Sequence, residues 1–288
     1  GWLGVDVFFV ISGFIIPLAM YSGGYSVQKN WWQFVWKRIV RIDPPYLVAT
    51  ALALGLWYMS SVVPGFRGDP PNPSVAQLVL HLGYLNGIAG YPWLNPVFWT
   101  LAIEFQYYLL MSLILGLVTS KRWPVIMYTA LLFTLVPMFS EGGAYVFHYL
   151  SLFLLGIAVF QYQVHLITRN ALLVILFLAS VSVAHALGIA DMFAGLVAAA
   201  IILSRWNLGN SRALLFLGSI SYSLYLIHVP IGGRVVSLGR RFVETQTGEL
   251  ALSCTALFVC IVSATLFWRW FEQPAQRWAS RLKYHERA

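Results

Sequence analysis

Two acidic side chains lie within long apolar stretches of the sequence. Asp6 occurs in the run 4–14, and Glu104 occurs in the run 98–108. An acid near the centre of a bilayer costs about 3 kcal/mol on insertion scales, so it needs a partner or a function. A carboxylate can act as a general base or orient one, which makes both residues candidate catalytic groups. The alternatives are that Asp6 caps a helix start and that Glu104 hydrogen-bonds to a neighbouring helix.

Glu104 shares a helix face with other polar side chains. The spacings i+3 and i+4 predict that Tyr107 and Tyr108 follow it on one face, with Thr100 one turn before it. This face is polar within an otherwise apolar helix. Tyr108 is therefore a candidate for lining a substrate path.

A third group of polar residues occurs in the run 218–230. Ser221, Tyr225 and His228 recur there at helical spacing. Histidine titrates near neutrality and can act as a general base, so His228 is a candidate catalytic residue. The alternative is a packed, hydrogen-bonded histidine. Ser221 and Tyr222 are candidates for lining the substrate path.

Two arginines lie three residues apart before a pair of prolines. Arg38 and Arg41 precede Pro44 and Pro45, which are expected to break the helix. Guanidinium groups at this spacing can bind a phosphate or pyrophosphate from one side. They can equally anchor the chain to lipid headgroups. From the residues alone, both readings stay open.

The composition indicates which medium surrounds these residues. Hydrophobic residues make up 59% of the 288 positions and charged residues 10%, and the mean hydropathy is +0.74. These values exclude an ordinary soluble domain. The net charge of +8 is dispersed between apolar runs and accompanies no nucleic-acid motif, which argues against a nucleic-acid partner. The sequence therefore predicts an integral membrane protein whose surrounding partner is membrane lipid.

The apolar runs predict the architecture. About 20 apolar residues span the hydrocarbon layer as a helix. The runs long enough to do so are Val5–Tyr21, Tyr46–Val63, Val97–Val118, Trp123–Ser140, Val146–Val164, Ala171–Gly188, Ala190–Ser204, Ala213–Pro230 and Leu250–Phe271. The shorter stretch Val75–Ala89 is predicted to be a re-entrant or interfacial helix. The expected fold class is an all-α, polytopic transmembrane bundle with about nine spans and one short extra helix.

The basic residues predict the orientation of these spans. If Val75–Ala89 does not cross, fourteen of the 18 basic residues fall on one side, as the positive-inside rule expects of the cytoplasm. The fourteen are Lys29, Lys37, Arg38, Arg41, Lys121, Arg122, Arg169, Arg205, Arg212, Arg269, Arg277, Arg281, Lys283 and Arg287. The four on the outer side are Arg67, Arg234, Arg240 and Arg241. This partition predicts a multi-pass protein of the cell membrane with its carboxy terminus in the cytoplasm.

The two ends of the chain also carry expectations. An odd number of spans places Gly1 outside without a signal to take it there, so one preceding helix is expected to be absent and the intact protein to have ten. Residues 272–288, with Trp278 among basic residues, predict a basic helix on the cytoplasmic leaflet. Residues 1–288 are otherwise expected to form a single, N-terminally truncated membrane domain.

Five stretches in this order resemble the acyltransferase 3 family of membrane proteins. They are Gly4–Phe14, Arg38–Tyr46, Trp99–Tyr108, Ser221–Pro230 and the run Phe271-Glu272-Gln273-Pro274-Ala275. The resemblance implies ten transmembrane helices and transfer of an acyl group, usually acetyl, from cytoplasmic acyl-CoA to a hydroxyl of a surface or secreted carbohydrate. It favours the phosphate reading of Arg38 and Arg41, which would then hold the CoA phosphates. Acyl-CoA is the expected donor, with no metal required.

The chain departs from the family pattern at its beginning. The pattern has an arginine and an essential histidine in a first helix upstream of the Gly-Val-Asp motif, and no residue here inherits those roles. The chain as it stands is therefore expected to be inactive, with Asp6 or Glu104 orienting the family's histidine in the intact parent. The expected partners are a carbohydrate acceptor, such as peptidoglycan, lipopolysaccharide or another polysaccharide, and a separate periplasmic or extracellular transferase domain.

One rival function comes from another class of protein. A transporter or flippase of lipid-linked sugars would also place polar residues inside an apolar bundle. Transporters commonly show internal repeats with interrupted helices, and none is evident in this sequence. The expected function is therefore a membrane-bound O-acyltransferase.

Overall fold

A computed structural model of the chain describes residues 2–63, 68–204, 211–243 and 245–282. The regular elements within these ranges are helices, which confirms the all-α prediction. They are α1 Leu3–Ser22, α2 Val27–Ser61, α3 Val75–His81, α4 Phe98–Val118, α5 Trp123–Phe139, α6 Leu150–Gln163, α7 Arg169–Ala186, α8 Ile189–Ser204, α9 Arg212–Gly239, α10 Gln246–Phe267 and α11 Gln273–Arg281. A 3₁₀ turn, Val146–Tyr149, leads into α6, and a π turn, Trp268–Glu272, joins α10 to α11.

Most of these helices have the length and apolar character of membrane spans. Seven helical segments in the described ranges qualify by length and composition, and α5 and α8 are apolar helices slightly below that length. These nine coincide with the nine predicted runs, so the chain is a multi-pass membrane protein. The seven-residue helix α3 is too short to cross a bilayer, in agreement with the short non-spanning helix predicted there.

The expected helix break at the proline pair is wrong. The helix α2 continues through Pro44 and Pro45 for 35 residues in all. Each proline removes one backbone N–H, which takes the usual helical donor from the carbonyls of Val40 and Arg41, but long membrane helices tolerate such a loss. In the same turn, the hydroxyl of Tyr222 donates to the carbonyl oxygen of Ile42 at 3.1 Å. The arginines at positions 38 and 41 therefore lie on a continuous helix.

The described chain forms two compact units. The first contains residues 2–35 and 102–204, and the second contains residues 36–63, 68–101, 211–243 and 245–282. The boundaries fall inside α2 and α4. Four of the basic residues used to predict orientation, Arg67, Arg205, Lys283 and Arg287, lie outside the described residues, as do the end of the predicted tail and part of the loop before α3.

The first unit is built around a close crossing of α1 and α6. A methyl group at Gly13 would overlap the carbonyl oxygen of Phe153, and one at Gly156 would overlap that of Val10. Small residues on both helices allow the two backbones to approach closely. Helices in a bilayer associate through such close packing, because lipid tails are as apolar as the side chains and no hydrophobic driving force brings the helices together. The stacked rings of Tyr107 and Phe153, 3.9 Å apart, join α4 to this pair. This crossing fixes the position of the acidic residue near the start of α1.

Candidate functional site

Glu104 lies in a small hydrogen-bonded group within the first unit. The hydroxyl of Tyr108 donates to Oε1 of Glu104 at 2.6 Å, and the hydroxyl of Ser12 donates to the same oxygen at 3.5 Å. The pair on α4 follows the predicted i+4 spacing, whereas Ser12 comes from α1. Glu104 thus links two helices, which is one of the structural roles considered for it.

Tyr107 does not belong to this polar group. Its ring is fully buried against Phe153, and its hydroxyl has no hydrogen-bond partner among the residues that the structure describes. The backbone of Val146 donates to Oε1 of Gln106 at 2.8 Å, and Nε2 of Gln106 donates to the carbonyl of Ala144 at 2.9 Å. Gln106 of α4 therefore fixes the loop that leads into α6.

Asp6 faces a second carboxyl group. Asp191 of α8 lies within hydrogen-bonding range of Asp6, and α1 packs on α8. Asp6 is buried, and its Oδ2 has no donor among the described residues. Two acidic side chains from different helices therefore lie close together inside the first unit.

The helix-capping alternative for Asp6 does not apply. The residue before the first turn of α1 is Trp2, and no side chain caps that end. Asp6 instead lies within the first turn of α1, close to Tyr149. The ring centroids of Tyr149 and Phe9 are 5.1 Å apart. Asp6 and Glu104 have different neighbours in the first unit. Asp6 lies near Asp191 of α8, whereas Glu104 accepts hydrogen bonds from Ser12 of α1 and Tyr108 of α4.

Carbonyl groups of its own helix hold the ring of His228 in the second unit. Its Nδ1 lies 2.9 Å from the carbonyl oxygen of Tyr225 and 3.2 Å from that of Leu224. A carbonyl can only accept, so Nδ1 is the donor in this arrangement. The ring is half-buried. This geometry suits either a packed histidine or a base acting through Nε2, so both readings of His228 remain.

A hydrogen-bonded group anchors the helix that carries His228. The hydroxyl of Tyr225 bonds to Thr100 and donates to the carbonyl oxygen of Val97 at 2.8 Å. Nδ2 of the buried Asn95 donates to the carbonyl oxygen of Leu226 at 2.9 Å. These contacts connect α9 to the segment that enters α4. They assign Thr100 and Tyr225 a positioning role.

The two arginines of α2 are close to other cations. Arg41 is exposed and Arg38 is half-buried, and the charges of both act on Lys37. The charge of Arg41 also acts on the carboxyl group of Glu272 in the π turn, so an acidic group of the protein lies near this turn. A phosphate or a lipid headgroup would add a further anion, and the two are equally suitable. The donor-site role of the arginines remains a prediction.

The predicted substrate-path residues of α9 make contacts within the protein. The hydroxyl of Ser221 donates to the carbonyl of Gly218 at 2.8 Å on its own helix, although the residue is exposed. Tyr222 donates to Ile42 beside the arginines of α2. Their role in a substrate path stays a prediction, as does that of Tyr108.

Two residues of the site region were missed by sequence reasoning. Asp191 interrupts an apolar run as Asp6 and Glu104 do, so the same criterion would have found it. Glu272, within the Phe-Glu-Gln-Pro-Ala stretch, is buried and accepts hydrogen bonds from the backbone and hydroxyl of Ser223. Only a pairing of sequence-distant helices reveals that contact. We expect from their polarity within apolar helices that Asp6, Glu104 and His228 converge on one polar cavity. This convergence stays a prediction, since the first two belong to one unit and the third to the other.

The comparisons with known proteins bear on the whole chain. Residues 2–271 match the model of the acyltransferase domain of the acyltransferase 3 family. The chain is 29% identical over 163 residues to the O-acetyltransferase OatA of Staphylococcus aureus (strain NCTC 8325 / PS 47), covering 52% of this chain and 26% of OatA. It is 32% identical over 162 residues to the putative membrane-bound transacylase BcsY of Komagataeibacter xylinus, covering 50% of this chain and 36% of BcsY.

A further relative is an uncharacterized protein of Haemophilus influenzae (strain ATCC 51907 / DSM 11121 / KW20 / Rd), 35% identical over 126 residues, or 41% of this chain and 50% of that one. No solved structure matches the chain. The chain spans half or less of the length of these curated relatives. The family model nevertheless covers nearly all of it, from the first described residue to the π turn, and so the chain belongs to the acyltransferase 3 family of membrane proteins.

Proposed function

We propose that this protein transfers an acyl group, in the first instance acetyl, from cytoplasmic acyl-CoA to a hydroxyl of a cell-surface or secreted carbohydrate. The observation that carries the proposal is the match of residues 2–271 to an acyltransferase domain. The similarity to a relative named O-acetyltransferase supports transfer to oxygen. Peptidoglycan, lipopolysaccharide and other polysaccharides are the candidate acceptors.

The reaction requires a base and a binding site for the donor. The acceptor oxygen forms an ester bond with the acyl carbon, the thioester C–S bond breaks, the hydroxyl proton passes to the base, and the CoA sulfur leaves as a thiolate that is then protonated. The neighbouring carboxyl groups of Asp6 and Asp191 and the carboxyl group of Glu104 suit the orientation of such a base. His228 is the further candidate for a base in the second unit.

The donor site is proposed at the cations of α2. Guanidinium groups form charge-assisted hydrogen bonds to phosphate, and CoA carries phosphates on its nucleotide part. Arg38 and Arg41, with Lys37 beside them, provide positive charge within one helical turn. Tyr222 fixes the backbone next to this turn through its bond to Ile42.

The arrangement in the membrane is part of the proposal. The distribution of basic residues supports a multi-pass protein of the cell membrane with the arginines of α2 and the amphipathic helix α11 on the cytoplasmic side. The acceptor would then be reached from the opposite face. A separate periplasmic or extracellular transferase domain is a proposed partner.

The test is an assay of the complete natural gene product that contains this chain, reconstituted in lipid vesicles. Radiolabelled acetyl-CoA is supplied on one side, and ester-linked acetyl on envelope saccharides is measured on the other. The proposal predicts transfer that Glu104→Gln reduces at least about tenfold, whereas Ser219→Ala, whose hydroxyl donates to the carbonyl of Phe216 on its own helix, has no effect. Movement of saccharide without acyl transfer would instead identify a transporter.

A further inference from the structure

A cavity of about 250 Å³ lies within the second unit. Its lining comes from α2, α9 and the segment that precedes α4: Ala53, Trp57, Trp93, Leu94, Asn95, Pro96, Val229, Pro230 and Arg234. This volume is below the range typical of pockets for drug-sized ligands. Two indoles, one amide and one guanidinium in a small cavity indicate a ligand that has both apolar faces and polar edges.

The guanidinium of Arg234 is held in place while retaining donors. Nε donates to the carbonyl of Leu56 at 3.3 Å and to the hydroxyl of Ser60 at 3.2 Å, and Nη1 donates to the carbonyl of Pro230 at 2.9 Å. Among the described residues, Nη2 makes no hydrogen bond. A guanidinium has five N–H donors in a fixed plane. The fixed guanidinium therefore offers N–H groups to an oxygen-rich ligand in the cavity.

The segment that carries Trp93 is fixed by its neighbours as well. The backbone N–H of Leu94 donates to Nε2 of His81 at 3.3 Å, and the ring of His81 lies edge-on to Trp93 with centroids 5.5 Å apart. Nε2 of Gln77 donates to the carbonyl of Pro92 at 2.9 Å. The short helix α3 thus supports the indole from behind. A preformed wall of this kind lowers the entropic cost of binding.

The second aromatic wall comes from α2. Nε1 of Trp57 donates to the carbonyl of Asp69 at 3.1 Å, which fixes the plane of the indole. Both indoles are half-buried, so each retains a face that a ligand can cover. Aromatic faces are electron-rich and attract the partly positive C–H groups of an aliphatic ring.

We propose that this cavity binds one pyranose ring of the carbohydrate acceptor, with a C–H face of the sugar against an indole and a hydroxyl or carboxylate oxygen on Arg234. The inference rests on the proposed function, since it takes the acceptor to be a carbohydrate. It fits the predicted orientation, which places Arg234 on the outer side, opposite the arginines of α2. An acyl chain of a lipid has no acceptor for the N–H groups of Arg234, and burying these groups without hydrogen bonds costs free energy. The oxygens of a sugar supply the missing acceptors.

The first experiment measures binding without catalysis. Saturation-transfer difference NMR is recorded on the chain in lipid nanodiscs with three probes: methyl glucoside, methyl N-acetylglucosaminide and methyl glucuronide. We expect ring-proton signals for at least one probe and a dissociation constant roughly tenfold higher for Trp57→Ala and for Trp93→Ala, as for a contact worth about 1.4 kcal/mol. Trp57→Phe and Trp93→Phe, which keep an aromatic face and guard against misfolding, should retain most of the binding.

The controls distinguish a specific binding site from non-specific binding of the probes. Trp270 is exposed and is not part of the lining, so Trp270→Ala should bind the probes as the parent does. Arg234→Lys should weaken the glucuronide more than the neutral glycosides, because lysine loses the planar fork. Absence of ring signals from all three probes, or equal binding by the two tryptophan-to-alanine variants and the parent, overturns the proposal.

The second experiment separates this inference from the proposed function. In the transfer assay of the complete gene product, Trp93→Ala should raise the KM for the acceptor about tenfold, whereas Trp270→Ala, outside the lining, should keep the parental KM. Transfer with a parental KM for acceptor would remove the sugar site but leave the acyltransferase intact. Sugar binding that depends on Trp57 and Trp93, without any acyl transfer, would keep the sugar site and remove the proposed function.

Discussion

Ser223 of α9 and Glu272 of the π turn form a buried pair joined at two points. The backbone N–H of Ser223 donates to Oε2 of Glu272 at 3.1 Å, and the hydroxyl of Ser223 donates to the same oxygen. Oε1 accepts from Nε2 of Gln276 at 2.7 Å. A buried carboxylate is tolerated only when its oxygens have donors. The pair therefore joins the end of α10 to the helix that carries His228.

Replacing Glu272 with alanine should destabilise the second unit. The change leaves the hydroxyl and N–H of Ser223 without their acceptor, and losing hydrogen bonds to a charged group costs roughly 1.5 to 3 kcal/mol each. Ser223→Ala should cost less, because the backbone bond survives. Thermal unfolding in detergent micelles measures both. The exposed Ser221→Ala is the matched control and should change stability by no more than about 0.5 kcal/mol; an unaltered midpoint for Glu272→Ala would contradict the structural role.

The arginines of α2 are expected to act on the donor substrate. In the complete gene product, Arg38→Ala and Arg41→Ala should each raise the KM for acyl-CoA, since a lost charged hydrogen bond to phosphate costs roughly 1.5 to 3 kcal/mol. Lysine should restore the KM only in part. Arg122→Ala removes a basic residue predicted on the same membrane side and should leave the KM unchanged. Parental values for both alanine variants would mean that the arginines anchor the chain to lipid headgroups.

The crossing of α1 and α6 should not accept a methyl group. At Gly13 and Gly156 the added carbon would overlap backbone atoms, which cannot move aside as a flexible side chain can. Gly13→Ala and Gly156→Ala are expected to cost roughly 1 to 3 kcal/mol through overpacking. Gly116 has open space around it in α4, so Gly116→Ala should be neutral or stabilising by up to about 1 kcal/mol. Thermal midpoints in one detergent decide the comparison.

Acidification should weaken the support behind Trp93. His81 is neutral in the folded chain: Nδ1 donates to the carbonyl of Gln77 at 2.8 Å, and Nε2 accepts from Leu94. Burial lowers the pKa of His81 below its ordinary value, and the bond to Gln77 offsets this only in part. The unfolded chain then binds the proton first, so the stabilisation is fully present above about pH 6.5 and is lost as the pH falls toward the lowered folded pKa.

The measurement compares thermal midpoints at pH 7.5 and pH 5.5. The parent should lose stability at the lower pH, and His81→Gln should lose less between the two conditions because it has no proton to gain. His185 is exposed, so His185→Gln should keep the parental pH dependence. An identical pH dependence in the parent and in His81→Gln would show that another group is responsible.

The predicted orientation can be tested by cysteine labelling. The native Cys254 and Cys260 are both free thiols and are first replaced by alanine. A cysteine at position 240 should then react with a membrane-impermeant maleimide in intact cells, and one at position 121 should react only after permeabilisation. Labelling of position 121 from outside would show that the segment around α3 crosses the membrane and that the assigned sides are reversed for the later spans.

The sequence alone determined the class of the fold and the candidates for chemistry. Lipid offers no hydrogen-bond partners, so runs of apolar residues have to form helices, and most of their bounds could be predicted within a few residues. The exceptions are α2, predicted from Tyr46 but beginning at Val27, and α9, predicted to end at Pro230 but ending at Gly239. The same scarcity of partners made Asp6 and Glu104 stand out. The proline pair at 44 and 45 misled the prediction, because a proline's missing N–H is visible in the sequence, whereas the tertiary packing around a continuous helix is not.

The tertiary structure decided which polar groups meet. The partners in three of these pairs lie 49 or more residues apart in the sequence, so no local spacing predicts them. The pairs are Asp6 with Asp191, Ser12 with Glu104, and Ser223 with Glu272. The cavity at Trp57, Trp93 and Arg234 arises in the same way, from three separate segments. Side-chain periodicity fixes the face on which a residue lies, but only the packing of one helix on another fixes what that face touches.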